Sequence, residues 1–170
     1  MNVVDGSGEL VDHVDALDTV IGVVTRRRMR HERLRHRAVF VAVFDESGRL
    51  LVHRRSTSKD VWPGWCDIAV GGVVASGESY EAAARREVAE EIGVDVEPVP
   101  IDGGVARPYD DDVVSLLGRC FRVTHPGPFR FTDAEVDEAW WSTGAELSER
   151  RLGEPFLPDS LALLLPLLEL

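Results

Sequence analysis

Glu87, Glu90 and Glu91 stand at i, i+3 and i+4 within the stretch Gly72 to Val94, GVVASGESYEAAARREVAEEIGV, a spacing that places three carboxylates on one face of a helix. Like charges that close repel one another, and a helix surface built only for solubility would mix lysine among them. A bound cation would remove the conflict. Oxygen ligands without histidine or cysteine nearby suit a hard divalent ion, Mg²⁺ or Mn²⁺, better than zinc. Arg86, one residue before Glu87 and four before Glu90, can hold a carboxylate in place without itself ligating metal. A solvated acidic helix is the alternative that these charges alone leave open.

The helix that must carry them is marked at both ends. Ser79 predicts an N-cap, Tyr80 to Ile92 are mostly Ala, Glu and Arg, and Gly93 predicts a stop. Ala84, Val88 and Ile92 form a separate apolar stripe at i, i+4 and i+8. Just upstream, Asp67 to Val70 predicts a strand feeding a turn at Gly71 and Gly72, whose small size would let backbone approach a ligand or metal.

The full spacing runs Gly72, Glu78, Arg86-Glu87, aliphatic Val88, Glu90-Glu91, Gly93 and aliphatic Val94. It matches the signature of the Nudix hydrolases at every position, which average residue usage would produce at a given start roughly once in a billion or more rarely. The chain therefore resembles that family, whose members hydrolyse a nucleoside diphosphate, or a similar diphosphate, linked to another group. The resemblance implies an α/β (α+β) fold with a mixed sheet sandwiched between helices. It implies Mg²⁺ (or Mn²⁺) held by the Gly71 carbonyl, Glu87, Glu90 and Glu91, with Arg86 beside them. It also implies one more glutamate, metal ligand or general base, from a segment after the central sheet. Glu135 and Glu138 in FTDAEVDEAWWS are the candidates, and in an extended segment they would face opposite sides. Glu135 is favoured because it lies farther from Trp141, the tryptophan that best matches the one ending this segment.

Outside that motif, HRAVFVAVFDESGRLLVHRRSTSKDVWPG is similar to a region shared by isopentenyl diphosphate isomerases and a group of bacterial Nudix hydrolases. From the RRSTSK portion, Arg55 and Lys59 are expected to contact substrate phosphates, one with a planar fork and the other with a point charge. The isomerases place an essential Cys and a metal-binding His where ungapped alignment puts Gly71 and Val73, and their acidic motif is eroded. Hydrolysis is therefore the favoured activity, with an isomerase-like enzyme and a non-catalytic Nudix-fold binding module as alternatives. Whether Trp62 or Trp65 lines a substrate pocket stays open at this point.

The rest of the chain frames this motif. Its 170 residues, 44% of them hydrophobic, predict a loose end over 1–9 and a single domain over 10–170. A net charge of −11 argues against a nucleic acid polymer or an anionic membrane as partner and leaves a small-molecule diphosphate as the expected one. Cys66 and Cys120 are the only cysteines, and with no signal peptide or long apolar run the expected location is the cytoplasm. Leu10 to Val14 and Thr19 to Thr25 predict a hairpin. Arg26 to Arg37 hold seven Arg and two His, read first as a solvated segment anchored by Met29 and Leu34, with a polyphosphate-facing or partner-facing surface as the alternative. Ala38 to Phe44 and Arg49 to Arg54 predict a second hairpin, and Ser56 to Gly64 a loop. Val99 to Val105 and Val113 to Thr124 predict strands, with a turn at Asp110 to Asp112 between them. Ala134 to Trp141 leads to a short helix near Gly144 to Arg151. A leucine-rich helix from about Ser160 to Leu170, interrupted at Pro166, either packs into the core or marks a homodimer contact.

Overall fold

His36–Phe44, HRAVFVAVF, is buried along almost its whole length, and every layer of the molecule is built on it. The computed structural model describes residues 8–131 and 135–170. Two strands, β1 (Leu10–Val14) and β2 (Val20–Thr25), form a separate antiparallel hairpin, followed by a helix, α1 (Arg26–His31), and the central strand β3 (His36–Phe44). Then come β4 (Leu50–Arg55), β5 (Cys66–Asp67), β6 (Val70–Val73), α2 (Tyr80–Ile92), β7 (Val99–Pro100), β8 (Arg107–Asp110) and β9 (Ser115–Thr124). β10 (Val136–Ser142), α3 (Gly144–Arg150) and α4 (Pro158–Leu163) complete the chain.

The main sheet runs β10-β4-β3-β9-β7, with β6 also on β3, β5 on β4 and β8 on β9. Only β3 and β9 are parallel among these pairs. Because successive side chains of a strand point to opposite faces, β3 feeds two cores. Val39, Val41 and Val43 pack with Ala84, Val88 and Ile92 of α2, whereas Ala38, Phe40, Ala42 and Phe44 pack with Leu147 of α3 and Leu163 of α4. A mixed sheet between helices is the architecture expected from the sequence.

Several local expectations need correction. Gly71 and Gly72 lie inside β6, opposite Phe40 and Val39, rather than in a turn beyond a strand. Of Val99 to Val105 only the first two residues are strand, because Asp102, Gly103 and Gly104 take positive φ (55°, 67° and 71°) in a 3₁₀ turn. β8 was not foreseen, since Pro108 argues against a strand, yet it pairs at the margin of the sheet with β9 alone. Part of the arginine-rich run is helical: Thr25 caps α1 by accepting from the Arg28 N–H at 3.2 Å, and Met29 is 1% exposed. Glu9, placed in the loose end, is held by its carbonyl accepting from Arg26 N–H at 2.7 Å; residues 1–7 lie outside the described residues. Of the C-terminal leucines, Leu163 and Leu164 are buried in the core and Leu161, Leu165, Leu167 and Leu168 pack against it, Leu170 is exposed, and Pro166 lies in a 3₁₀ turn that ends the helix early.

Two buried histidines give this core a pH dependence. Burial pushes the imidazoles of His36 and His53 down to about 4, and for His36 the nearby Arg30 cation adds to the effect. Below about pH 6.5 the unfolded chain takes up a proton that the folded imidazole refuses, so stability falls as pH drops from there toward 4 and levels off below it. Over the roughly 1.5 pH units down to pH 5 this amounts to about 2 kcal/mol for each histidine. His53→Gln is expected to remove about that much of the stability lost between pH 7 and pH 5, as read by urea unfolding; equal losses in variant and wild type would contradict the assignment.

Candidate active site

α2 forms as its end signals require. Ser79 Oγ accepts from the Ala82 N–H at 3.1 Å, and Gly93 closes the helix at φ 70°, ψ 26°. With Ala84, Val88 and Ile92 locked into the core, the rotation of the helix is fixed and the three glutamates descend from solvent inward. The Glu90 side chain is 55% exposed and that of Glu87 12%, while Glu91 is buried. The acidic face is therefore graded rather than uniformly solvated.

Arg86 organises the upper part of this face. Its Nε and Nη2 donate to the two Glu78 oxygens at 2.9 and 3.0 Å, Nη2 also donates to the Val73 carbonyl at 3.2 Å, and Nη1 donates to Glu87 at 2.7 Å and Glu90 at 3.1 Å. The Glu78 hydrogen bond leads in holding the Arg86 pKa above the ordinary arginine value. Burial pushes Glu78 up, but Arg86 and the Ala75 N–H outweigh it and leave its carboxyl below the usual range. Sequence reading fixed Glu78 in the motif without a role, and the structure supplies one: it anchors the arginine that positions the other carboxylates.

Gly72 is needed because a Cβ there would lie 2.7 Å from Glu87 Oε1, and Gly71 because a Cβ there would overlap the Val39 carbonyl across the β3–β6 pairing. The two substitutions separate cleanly. Gly71→Ala meets rigid backbone and is expected to cost about 1–3 kcal/mol or more of stability. Gly72→Ala meets the end of a flexible side chain and is expected to spare the melting temperature but displace Glu87 and depress turnover. Thermal unfolding and steady-state rates measured on both variants check this.

These groups line one cavity of about 880 Å³. Glu87, Glu90, Glu91, Gly71 and Gly72 form one side, and Arg55, Lys59 and Glu135 also face into it. Glu135 arrives by strand register: β10 pairs with β4, Val136 stands opposite Arg55, and the Ser56 N–H donates to the Glu135 carbonyl at 2.8 Å. Lys59 and the Glu135 carboxylate form an ion pair over the cavity. Glu138 instead stands opposite Arg54, 59% exposed and 3.7 Å from its guanidinium. All seven charged residues singled out for catalysis, substrate or metal lie on this cavity, as does Gly71. Trp62, with φ 45°, lines it too, whereas Trp65 does not. Asp67 and Asp159 sit at its floor, where burial and then the Asp67 charge push the Asp159 carboxyl up to about 7. Neither aspartate was legible beforehand, because nothing in a single sequence signals that β5 and the start of α4 meet.

The donor set fits a hard divalent cation. Burial pushes Glu87 and Glu91 above the usual carboxylate range, and for Glu91 the adjacent Glu87 charge is the next cause. A cation would offset both the burial and the repulsion. Among the described residues no three acidic, His or Cys side chains already stand in ligating geometry, and Arg86 draws Glu87 and Glu90 onto its own Nη1.

Comparison with known proteins agrees with this site. A NUDIX domain is matched over residues 34–164. A Yersinia pestis protein termed an uncharacterized Nudix hydrolase is 40% identical over 153 residues, 90% of this chain and 82% of that protein. YfcD of Escherichia coli K12, termed likewise, is 38% identical over 155 residues, 91% of this chain and 84% of its own. A crystal structure of a Deinococcus radiodurans protein superposes with a TM-score of 0.70 at 31% identity, covering 89% of this chain and 94% of that one. No described helix is long and apolar enough to cross a membrane. With the motif intact, its glutamates gathered on one cavity and relatives of this kind aligned over 90% and 91% of the chain, the chain belongs to the Nudix hydrolase family.

Proposed function

We propose that the protein hydrolyses a phosphoanhydride in a small molecule, a nucleoside diphosphate linked to another group or a similar diphosphate, with Mg²⁺ or Mn²⁺. The observation that carries this reading is that the three α2 glutamates and Glu135 share one cavity with Arg55 and Lys59. Glu87, Glu90, Glu91 and the Gly71 carbonyl would hold the cation, with Arg86 orienting two of the carboxylates. The cation supplies neutralisation of the diphosphate oxygens and a lowered pKa for the attacking water. Glu135 takes the proton from that water as general base, and Lys59 holds its carboxylate over the cavity until substrate phosphate competes for the ammonium. Arg55 steadies the phosphoryl oxygens with a planar fork. Trp62 offers an apolar ring to the group attached to the diphosphate. Both thiols are free and buried, and we assign the protein to a reducing compartment, the cytoplasm.

The test is a panel of nucleoside diphosphates, nucleotide sugars, dinucleoside polyphosphates, oxidised nucleoside triphosphates and CoA esters, each with Mg²⁺ or Mn²⁺, scored by phosphate release and product mass. Cleavage between two phosphorus atoms, abolished by EDTA, is the expected result. Cleavage elsewhere, or rates unaffected by EDTA, would refute the reading.

A further inference from the structure

The cavity carries a second charged cluster, of which the reaction above uses Arg55 alone. Arg26 and Arg30, one turn apart on α1, line it together with Arg55 at the end of β4. Arg26 is paired with Glu9 at 3.2 Å and Arg30 with Asp60 at 3.3 Å, and the Asp60 side chain is half exposed. Asp60 feels all three guanidinium groups, Arg30 first. Arg55 donates Nη2 to the Val61 carbonyl at 3.1 Å and forms no ion pair among the described residues. The buried Nε of Arg55 makes no hydrogen bond among the described residues, and that of Arg30 has only the 3.3 Å ion pair with Asp60.

Buried donors are normally satisfied, and a guanidinium nitrogen of Arg55 left without an acceptor beside two further arginines on one cavity wall requires a reason. Burial lowers the Arg30 pKa, and the Arg26 and Arg55 charges lower it further against the single opposing pull of Asp60. The cluster therefore works against itself in the same sense as the glutamates across the cavity, but with the opposite sign. A group with several acceptor oxygens and a double negative charge relieves both problems, and a phosphoryl group matches the planar forks of arginine. The cluster also stands beside the acidic face, since the Arg26 charge acts on Glu87. Arg26 and Arg30 lie outside residues 34–164, where the NUDIX domain is matched, so α1 adds this chemistry to the domain.

We propose that Arg26 and Arg30, beside the Arg55 that serves the diphosphate, form a second anion subsite, which takes a phosphoryl group that the substrate carries in addition to the diphosphate being cleaved. This rests on the phosphoanhydride reading above and narrows it to substrates with a further phosphate. That phosphate is either the end of a longer polyphosphate chain or a phosphomonoester elsewhere on the molecule.

The subsite is tested first without catalysis. Inorganic pyrophosphate is titrated calorimetrically into the full chain in EDTA, comparing wild type with Arg26→Gln, Arg30→Gln, Glu91→Gln and, as a surface control, Arg85→Gln. Arg30→Gln and Arg26→Gln are each expected to weaken binding about tenfold, the order of one lost charge-assisted hydrogen bond, while Glu91→Gln and Arg85→Gln bind at least as tightly as wild type. Arg26, being closer to the surface, keeps the test decisive if Arg30→Gln unfolds. Absence of wild-type binding, or equal binding by both arginine variants, overturns the proposal whatever the enzyme hydrolyses. Steady-state rates on matched pairs, a nucleoside triphosphate against its diphosphate and CoA against 3′-dephospho-CoA, then locate the extra phosphate. The pair whose preference collapses in Arg26→Gln names the source, and collapse in neither overturns the subsite as a substrate site. Failure to hydrolyse any of the four would instead count against the proposed reaction and leave the titration result standing.

Discussion

Glu91→Gln is expected to slow hydrolysis roughly 10³-fold, the order seen when one preorganised electrostatic contact to the reacting groups is lost, and at the same time to raise the melting temperature in EDTA. The two effects have one cause. Glu91 is a buried carboxylate beside a second one, and burying like charges without a counterion costs stability. The amide keeps the shape and removes the charge. For a chain of this length each kcal/mol recovered raises the melting temperature by roughly 2–4 °C. Glu97→Gln, at an exposed residue paired with Arg85, is expected to change neither quantity. Scanning calorimetry in EDTA and turnover in Mg²⁺ make the comparison, and a variant that melts lower yet turns over normally would remove Glu91 from the site.

Glu135→Gln is expected to lower kcat by about 10²-fold to 10⁴-fold, the usual contribution of a positioned general base, with KM little changed. Glu138→Gln is expected to stay within about threefold of wild type, since that side chain pairs with Arg54 on the exposed side of β10. The pairing of Lys59 with Glu135 adds a signature: Lys59→Ala frees the carboxylate, so its effect should combine non-additively with Glu135→Gln. A large loss in Glu138→Gln with a small one in Glu135→Gln would transfer the role.

What could be read in advance was what local chemistry dictates. α2 was placed to the residue because its cap, its apolar stripe and its terminating glycine are all encoded within fifteen positions. β3 was placed because a run of buried aliphatics bounded by a turn has few other fates. Long-range arrangement was not readable. The two glycines of β6 looked like a turn because only the pairing with β3 shows why a strand needs them there. Arg26 and Arg30 looked like solvated charges, although their i, i+4 spacing was the one available sign that they would share a face. Asp67 and Asp159 were overlooked as site residues for the same reason: only the meeting of β5 with the start of α4 brings them together.

The parallel pairing of β3 with β9 has a consequence for how the molecule comes into being. His36 stands opposite Leu116 and Phe44 opposite Thr124, so the central strand waits for a neighbour eighty positions further on. Closing so long a loop is slow, because the entropy is lost before the contacts reward it. α2 is synthesised well before β9, yet the platform beneath it includes Phe121 and Val123 of that strand. During translation the acidic helix therefore leaves the ribosome without a finished surface to dock on, and the cavity can be assembled only after the chain has passed Thr124. A truncation ending before β9 would make the motif intact and the enzyme absent.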